Sequence, residues 1–431
     1  MAKKTRAEGA KKTVRKSAKK ATKKAVKSAG ETKAKQIIQR GLFKTSGMEK
    51  IKALLEYNLQ QAEFSELNLP EGTVQIDDVD NSEAHNRIHL IIDDIVSQIL
   101  ATGRPTVNIP KRSASNIIFD EKNDLLLLGQ ETSSKSFQSL SSVTDITQLM
   151  RVVQIIHDLV TGHQHSTKRE VFYTDVKLFQ KDQGNSDAAI EDASALLRTT
   201  RNSTNIIADA RGVCIGRLRI RDTNDFIDCE RLGKGGWSIS PMLDSVEILE
   251  SDAEFILVVE KAAAVIRLTE AQWWNKYPCI IITAKGAADM ATRMFLRRLT
   301  KQLRLPTFTL VDSDPYGHYI HSVYMRGSKR LSYESPFLAT PNIHLLGVLA
   351  RDLDQYNVPD DCRLAMSQQD IKRAKEMLEE DFIKNNKPWK EDLELMLKTK
   401  EKAEIQALSA HGLNYLTDEY LPTKLSTGDW I

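Results

Sequence analysis

The sequence predicts an α/β chain with two cores: a helical module carrying a β-wing, then a parallel βαβαβ unit. Two observations predict this. Residues 146–160 carry apolar side chains at helical spacing and are followed by two more helical stretches. Residues 255–259, 279–283 and 307–311 are short, continuously apolar runs separated by helical patterns, as expected of parallel strands covered on both faces. At 431 residues and 41% hydrophobic content, the chain can fill two or three domains.

Residues 1–35 hold 14 Lys or Arg against Glu8 and Glu31, a balance of +12. The remainder holds 47 basic and 56 acidic residues, a balance of −9. Lysine pairs at 11–12, 19–20 and 23–24 alternate with Ala, Thr, Ser and Val, so residues 1–35 are expected to be a disordered basic tail. It is similar to a linker-histone tail. Phosphate neutralisation and nuclear import are the roles such a composition suits; a transit peptide or a plain solubilising tail are the alternatives.

Residues 36–145 read as an N-terminal helical and extended region. It has amphipathic helices at 48–64 and 84–101, an extended stretch at 104–120 and a Ser-rich loop at 132–142. Residues 146–235 outline a winged helix. After the first helix, Ser166 and Thr167 cap a second, where Thr167-x-x-Glu170 has the capping-box pattern. Residues 186–197 form a third helix. Residues 205–207 and 213–220 alternate as strands, with Arg217, Arg219 and Arg221 on one face as a basic wing. Residues 250–431 form the βαβαβ unit, with helices at 262–269 and 289–303, and a mostly helical elaboration over 368–408. The final stretch, bearing Tyr415, Tyr420 and Trp430, reads as packing or dimer-contact structure.

No apolar run approaches the ~18 residues of a membrane helix, and no apolar segment near the N-terminus suggests a secretory signal. Cys214, Cys229, Cys279 and Cys362 form no C-x-x-C pair, which suits a reducing compartment without structural zinc. His163 and His165 have no partner at zinc spacing and read as surface or turn residues.

Two groups of residues carry chemistry. Glu260 closes one apolar run, and Asp312 and Asp314 close another. Parallel sheets place their sites at strand carboxyl ends. Residues two apart on extended backbone point the same way, so one carboxylate and an Asp-x-Asp pair suit Mg²⁺, with Mn²⁺ as the alternative ion. Such an ion neutralises a phosphate and orients it for in-line attack. Tyr173 is the second group. A phenol is a weak nucleophile at neutral pH unless a base, cation or metal assists it. Arg169, four residues earlier, shares its helix face and is the candidate to stabilise the phenolate or clamp phosphate. The bland alternative makes Phe172 and Tyr173 helix-core residues. Lys285-Gly286 opens a helix after a strand, where backbone approaches anions easily. Lys168, Arg211, Lys285 and Arg293 are the candidate DNA-contacting cations; Arg297 and Arg298 are equally well read as a solvated helix face.

Arg169-Glu-Val-Phe-Tyr173-Thr-Asp-Val-Lys-Leu-Phe179 resembles the tyrosine motif of the DNA-cleaving chain of topoisomerase VI, shared with the meiotic double-strand-break transesterase. Val258-Val-Glu260-Lys, Thr283-Ala-Lys285-Gly286-x-x-Asp289 and Val311-Asp312-Ser-Asp314-Pro-Tyr-Gly317 resemble that family's Toprim domain. Ser332-Tyr-Glu-Ser, Cys362-Arg-Leu and Lys402-Ala-Glu-Ile-Gln-Ala-Leu408 are similar to the plant-type member of the family. The resemblance spans about residues 85–431. Two motifs depart from it. Ala287-Ala288 precede Asp289 where the family usually has Pro, and Arg211-Gly212 stands for Lys-Gly in the wing region. The long basic tail is not a core family feature.

The resemblance implies a CAP-like winged helix followed by Toprim, in a homodimer where one protomer's tyrosine works with the other's metal site. Tyr173 would form a 5′-phosphotyrosyl link with Arg169 assisting, and Glu260, Asp312 and Asp314 would hold Mg²⁺. ATP would be bound by a partner ATPase B subunit (GHKL-type) in an A2B2 assembly; no Walker A loop appears here. The leading expectation is thus the DNA-cleaving A subunit of a type IIB topoisomerase, nuclear in a eukaryote and on the nucleoid in an archaeon. A meiotic break-former, a non-catalytic winged-helix scaffold, and a Toprim nuclease or primase are the alternatives.

Overall fold

The structure is a computed structural model that describes Lys50, Ala53, Leu54, Asn58 and residues 69–431 except Asp209. The basic tail lies outside the described residues. So does the helix expected at 48–64, apart from those four positions, which are helical; Leu54 joins the main core.

The first lobe begins with α1 (Asn81–Thr102), whose Asp80 cap accepts the Glu83 amide and which ends at Gly103. Four strands follow: β1 (Thr106–Pro110), β2 (Ile117–Asp120), β3 (Leu125–Leu128) and β4 (Thr132–Ser136). Next come α2 (Val143–Gly162), β5 (Ser166–Thr167), α3 (Lys168–Thr174), α4 (Gln183–Leu197) and β6 (Ile206–Ile207). Ile88 of α1, Val107 and Ile109 of β1, Ile156 of α2, Val171 of α3 and Ile190 of α4 share one apolar core. α1 and β1 are therefore continuous with the helical module rather than a separate region before it, while Leu125, Leu127 and Leu128 of β3 pack on Tyr333 and Ala339 of the later chain.

The Ser-rich stretch is a correction. Thr132–Ser136 is a strand, pairing antiparallel with β1 from Thr106↔Ser136 to Pro110↔Thr132. Its side chains are exposed or half-buried while Val107 and Ile109 opposite are buried, so low apolar content marks an outer strand here. The wing is the second correction. β7 (Val213–Gly216) pairs with the later sheet, and β8 (Arg219–Asp222) lies between β9 (Asp225–Asp228) and β11 (Val246–Glu250), which follows β10 (Trp237–Ser238). The arginines do alternate, but β9, β11 and the adjoining loops carry acids to meet them. Arg221 pairs with Glu247 at 3.0 Å, Arg219 with Glu250 and Asp228, and Arg217 with Glu230 at 3.1 Å. This ribbon is charge-paired internally and belongs to a small β unit.

The second lobe is built on β12 (Phe255–Val259), α5 (Ala262–Glu270), β13 (Cys279–Thr283), α6 (Met290–Leu303), β14 (Thr307–Leu310), α7 (Pro315–Arg326) and β15 (Ile343–Gly347). β13, β12, β14 and β15 are parallel in that order, and β7 then β10 extend the β13 edge antiparallel. Every residue of β12 and β13 is buried. Each large apolar side chain removed from water there stabilises by roughly 1.5–3 kcal/mol. α8 (Gln368–Leu378) and α9 (Lys387–Thr399) form a satellite core with Phe382 and Trp389. The 368–408 region is helical as expected up to Thr399, after which short Glu401–Lys402 pairing and a 3-10 helix, Ile405–His411, complete it.

Candidate active site

Glu260 is the residue directly after β12, and Asp312 and Asp314 follow β14, so the parallel pairing of these neighbouring strands brings the three carboxylates to one end of the sheet. The Asp312 amide donates to Glu260 Oε2 at 3.0 Å. Asp314 caps α7: its Oδ1 accepts the Gly317 amide at 2.6 Å, and Pro315 starts the helix. Gly317 is required by this turn, because a Cβ there would lie 2.3 Å from the Asp312 carbonyl oxygen.

Burial pushes the Glu260 carboxyl up to about 7, reinforced by Asp312 and Asp314 and opposed by the Asp312 amide and Lys261. Burial also raises Asp312. Three carboxylates at neighbouring strand ends are the hard oxygen donors that a divalent cation such as Mg²⁺ takes.

Two further residues were missed in the sequence. Lys261 Nζ reaches Asp312 Oδ2 at 2.7 Å and Glu404 Oε2 at 3.0 Å. The segment carrying Glu404 is sewn to the Asp-x-Asp loop. Ser313 and Ala403 exchange backbone hydrogen bonds of 2.8 and 3.1 Å, and the Ile405 amide donates to Asp312 Oδ1 at 2.9 Å. Lys261 follows Glu260 directly, and Glu404 lies in the Lys402–Leu408 motif, so both were in view; what the sequence hides is their meeting.

Tyr173 lies near the end of α3, a seven-residue helix fixed by the expected capping box: the Thr167 hydroxyl accepts the Glu170 amide and Glu170 accepts the Thr167 amide. Val171 is fully buried and Phe172 packs on the same core, whereas Tyr173 is 61% exposed. The helix-core reading thus holds for Phe172 and not for Tyr173. Arg169 lies with its guanidinium 5.9 Å from the Tyr173 ring centroid, on the shared face. No hydrogen bond or ion pair among the described residues joins α3 to Glu260, Asp312 or Asp314.

The DNA-contacting candidates divide. Lys285 is exposed, at φ 58°, and is followed by Gly286 at φ 127° with open space around it, so this turn is accessible. Arg211 is exposed, two residues before β7. Lys168 is corrected to a tether: its ammonium lies 3.3 Å from both Asp187 and Glu191, holding α3 to α4. Arg293 is corrected too. It is 1% exposed, on the inner stripe of α6 with Met290, and its Nε and Nη2 find no hydrogen-bond partner among the described residues. Burial lowers its pKa to about 10. Asp289 caps α6 by accepting the Thr292 amide, so the helix starts normally despite Ala287-Ala288. His163 ends α2 at φ 50°, and it and His165 are exposed.

Three family models match the chain: the Toprim domain shared by the topoisomerase 6 A subunit/Spo11 family over residues 255–425, "Type IIB DNA topoisomerase" over 144–206, and "All-beta domain in DNA topoisomerase VI alpha subunit" over 212–252. The last covers the small β unit, where the sequence pattern suggests a wing. The chain is 47% identical to the DNA topoisomerase 6 A subunit of Arabidopsis thaliana, over 85% of this chain and 86% of the relative. It is 36% identical to the type 2 DNA topoisomerase 6 A subunit of Hyperthermus butylicus, over 78% and 93%. It is 33% identical to meiotic recombination protein SPO11 of Mus musculus, over 84% and 91%.

Proposed function

The chain belongs to the topoisomerase 6 A subunit/Spo11 family of type IIB DNA topoisomerases, and from that premise we propose that it cleaves and reseals duplex DNA through Tyr173. The observation that carries this is an exposed tyrosine beside Arg169 in the same chain as an intact Glu260, Asp312, Asp314 cluster.

The Tyr173 hydroxyl attacks a backbone phosphorus, forming a phosphotyrosyl ester at the 5′ end. The bond from phosphorus to the 3′ oxygen breaks, and the released 3′ hydroxyl takes up a proton. Resealing is the reverse. Arg169 holds the phosphate or the phenolate by charge-assisted hydrogen bonds. Glu260, Asp312 and Asp314 would hold Mg²⁺, with Mn²⁺ the alternative ion. When bound, such an ion stabilises charge on the phosphate and the departing oxygen. Lys261 keeps Asp312 in place and limits the excess negative charge. Lys285 and Arg211 bind the DNA backbone.

Tyr173 is exposed and makes no hydrogen bond to its own chain's carboxylates among the described residues, which supports a homodimer in which each tyrosine serves the partner's metal site. A GHKL-type ATPase B subunit would complete an A2B2 assembly and bind the ATP. A eukaryotic host would place it in the nucleus, an archaeal host on the nucleoid. The higher identity to topoisomerase subunits than to the meiotic protein favours cleavage with resealing.

The test is relaxation of supercoiled plasmid with Mg²⁺ and ATP, with and without a type IIB ATPase subunit, probing denatured samples for protein on DNA 5′ ends. Relaxation that needs the ATPase subunit is the expected result. Covalent breaks without resealing would favour the break-former. DNA binding with neither product would favour the scaffold.

A further inference from the structure

His85 and His89 lie one turn apart on α1, and His157 faces them from α2. Their ring centroids are 4.4, 5.2 and 5.7 Å apart, and one potential ligand nitrogen from each falls within 4.8 Å of the others. His85 Nε2 and His89 Nε2 are 3.2 Å apart. Two imidazoles on a tetrahedral ion with Zn–N bonds of ~2.0–2.1 Å place their nitrogens ~3.4 Å apart. The helical pair already stands close to that separation, and a ring nitrogen of His157 lies within 4.8 Å of both. Asp158 Oδ1 lies 3.4 Å from His157 Nδ1, favouring the proton there and leaving Nε2 its lone pair, as in metal-binding histidines held by a carboxylate.

We propose that His85, His89 and His157 form a binding site for a divalent transition ion of the Zn²⁺ class, separate from the carboxylate cluster. An all-imidazole donor set selects Zn²⁺ and its transition-metal neighbours over Mg²⁺ or Ca²⁺, which require oxygen ligands. His89 is exposed and the other two are half-buried, so an ion has an entry path and a solvent-facing fourth position. Its effect is to clamp α1 against α2, the helix that precedes β5 and the tyrosine helix. Neither the cysteine spacing nor the His163 and His165 pair points to this set, because its third histidine arrives from another helix.

The test uses the full chain without a polyhistidine tag, in millimolar Mg²⁺ so that oxygen sites are occupied. Zn²⁺ is titrated calorimetrically, and Co²⁺ is followed by its visible absorption. One Zn²⁺ per chain with a Kd on the order of 1 μM or tighter is expected, together with Co²⁺ bands of tetrahedral intensity. His89→Ala and His157→Gln should each weaken Zn²⁺ binding at least tenfold while circular dichroism stays unchanged. His89 is exposed, so its variant tests binding without threatening the fold. Absent Zn²⁺ binding, or binding as strong in both variants as in the wild-type chain, would overturn the proposal.

Discussion

Glu260, Asp312 and Asp314 sit at the ends of buried strands with oxygens engaged by backbone amides and Lys261, whereas Tyr173 projects from a seven-residue helix with 61% of its surface exposed. The difference follows from what each must do. A cluster of like charges holds its geometry only if the scaffold fixes it, so burial and hydrogen bonding are needed despite their electrostatic cost. A nucleophile that meets a phosphate held elsewhere must be reachable. It is anchored through Val171, Phe172 and the Lys168 tether rather than through its own ring.

The sharpest way to break this contrast is at the hydroxyl. Tyr173→Phe should reduce covalent DNA attachment to background while leaving melting temperature and DNA binding unchanged, because the ring is exposed and its hydroxyl supports no packing. Residual covalent complex, read on denaturing gels with labelled 5′ ends, would remove Tyr173 from its role.

At the other pole, Glu260→Gln should lose cleavage by two orders of magnitude or more at millimolar Mg²⁺, on the order of 3 kcal/mol of transition-state stabilisation. It should also stabilise the metal-free protein. Glu260 titrates at about 7 when folded against an ordinary 4.5. The native state therefore binds more protons between those values, and stability falls as pH rises through that window. The loss amounts to about 3 kcal/mol by pH 8. Calorimetric melting should show Glu260→Gln above wild type at pH 8 and converging with it near pH 4. Identical melting curves at both pH values would mean that Glu260 is solvated as an ordinary carboxylate.

A smaller effect separates the two kinds of cation. Lys285→Ala should weaken DNA binding a few-fold and lower the salt slope by roughly 1. Arg221→Ala should leave both unchanged, since Glu247 already holds its guanidinium. Equal effects, measured by fluorescence anisotropy across a salt series, would return the ribbon to the DNA interface. Smallest is Thr167→Ala, which removes one half of the capping box and should cost about 1 kcal/mol. Faster hydrogen exchange confined to α3 is its readout.

The βαβαβ unit was legible because continuously apolar runs leave little choice but a strand covered on both faces. The capping box placed the start of α3 to the residue. The Ser-rich strand was not legible, since serine has little β preference and the strand exists through its pairing with β1. The ribbon arginines were read in correct alternation, but their acidic partners lie on other strands and loops, outside the local pattern. Arg293 looked like a surface residue because charge suggests solvent. Its position three after Met290, on the stripe that turns inward, was the available warning.

The hydrogen bond from the Ile405 amide to Asp312 has a consequence for biosynthesis. β14 and the loop after it leave the ribosome well before the segment that completes their wiring. A nascent or prematurely terminated chain ending before Lys402 would carry Tyr173 and all three carboxylates yet lack the backbone that sets Asp312. Because this tie joins positions 93 residues apart, the carboxylate site is fully wired only after the segment from Lys402 to Ile405 has been made and has folded back onto it.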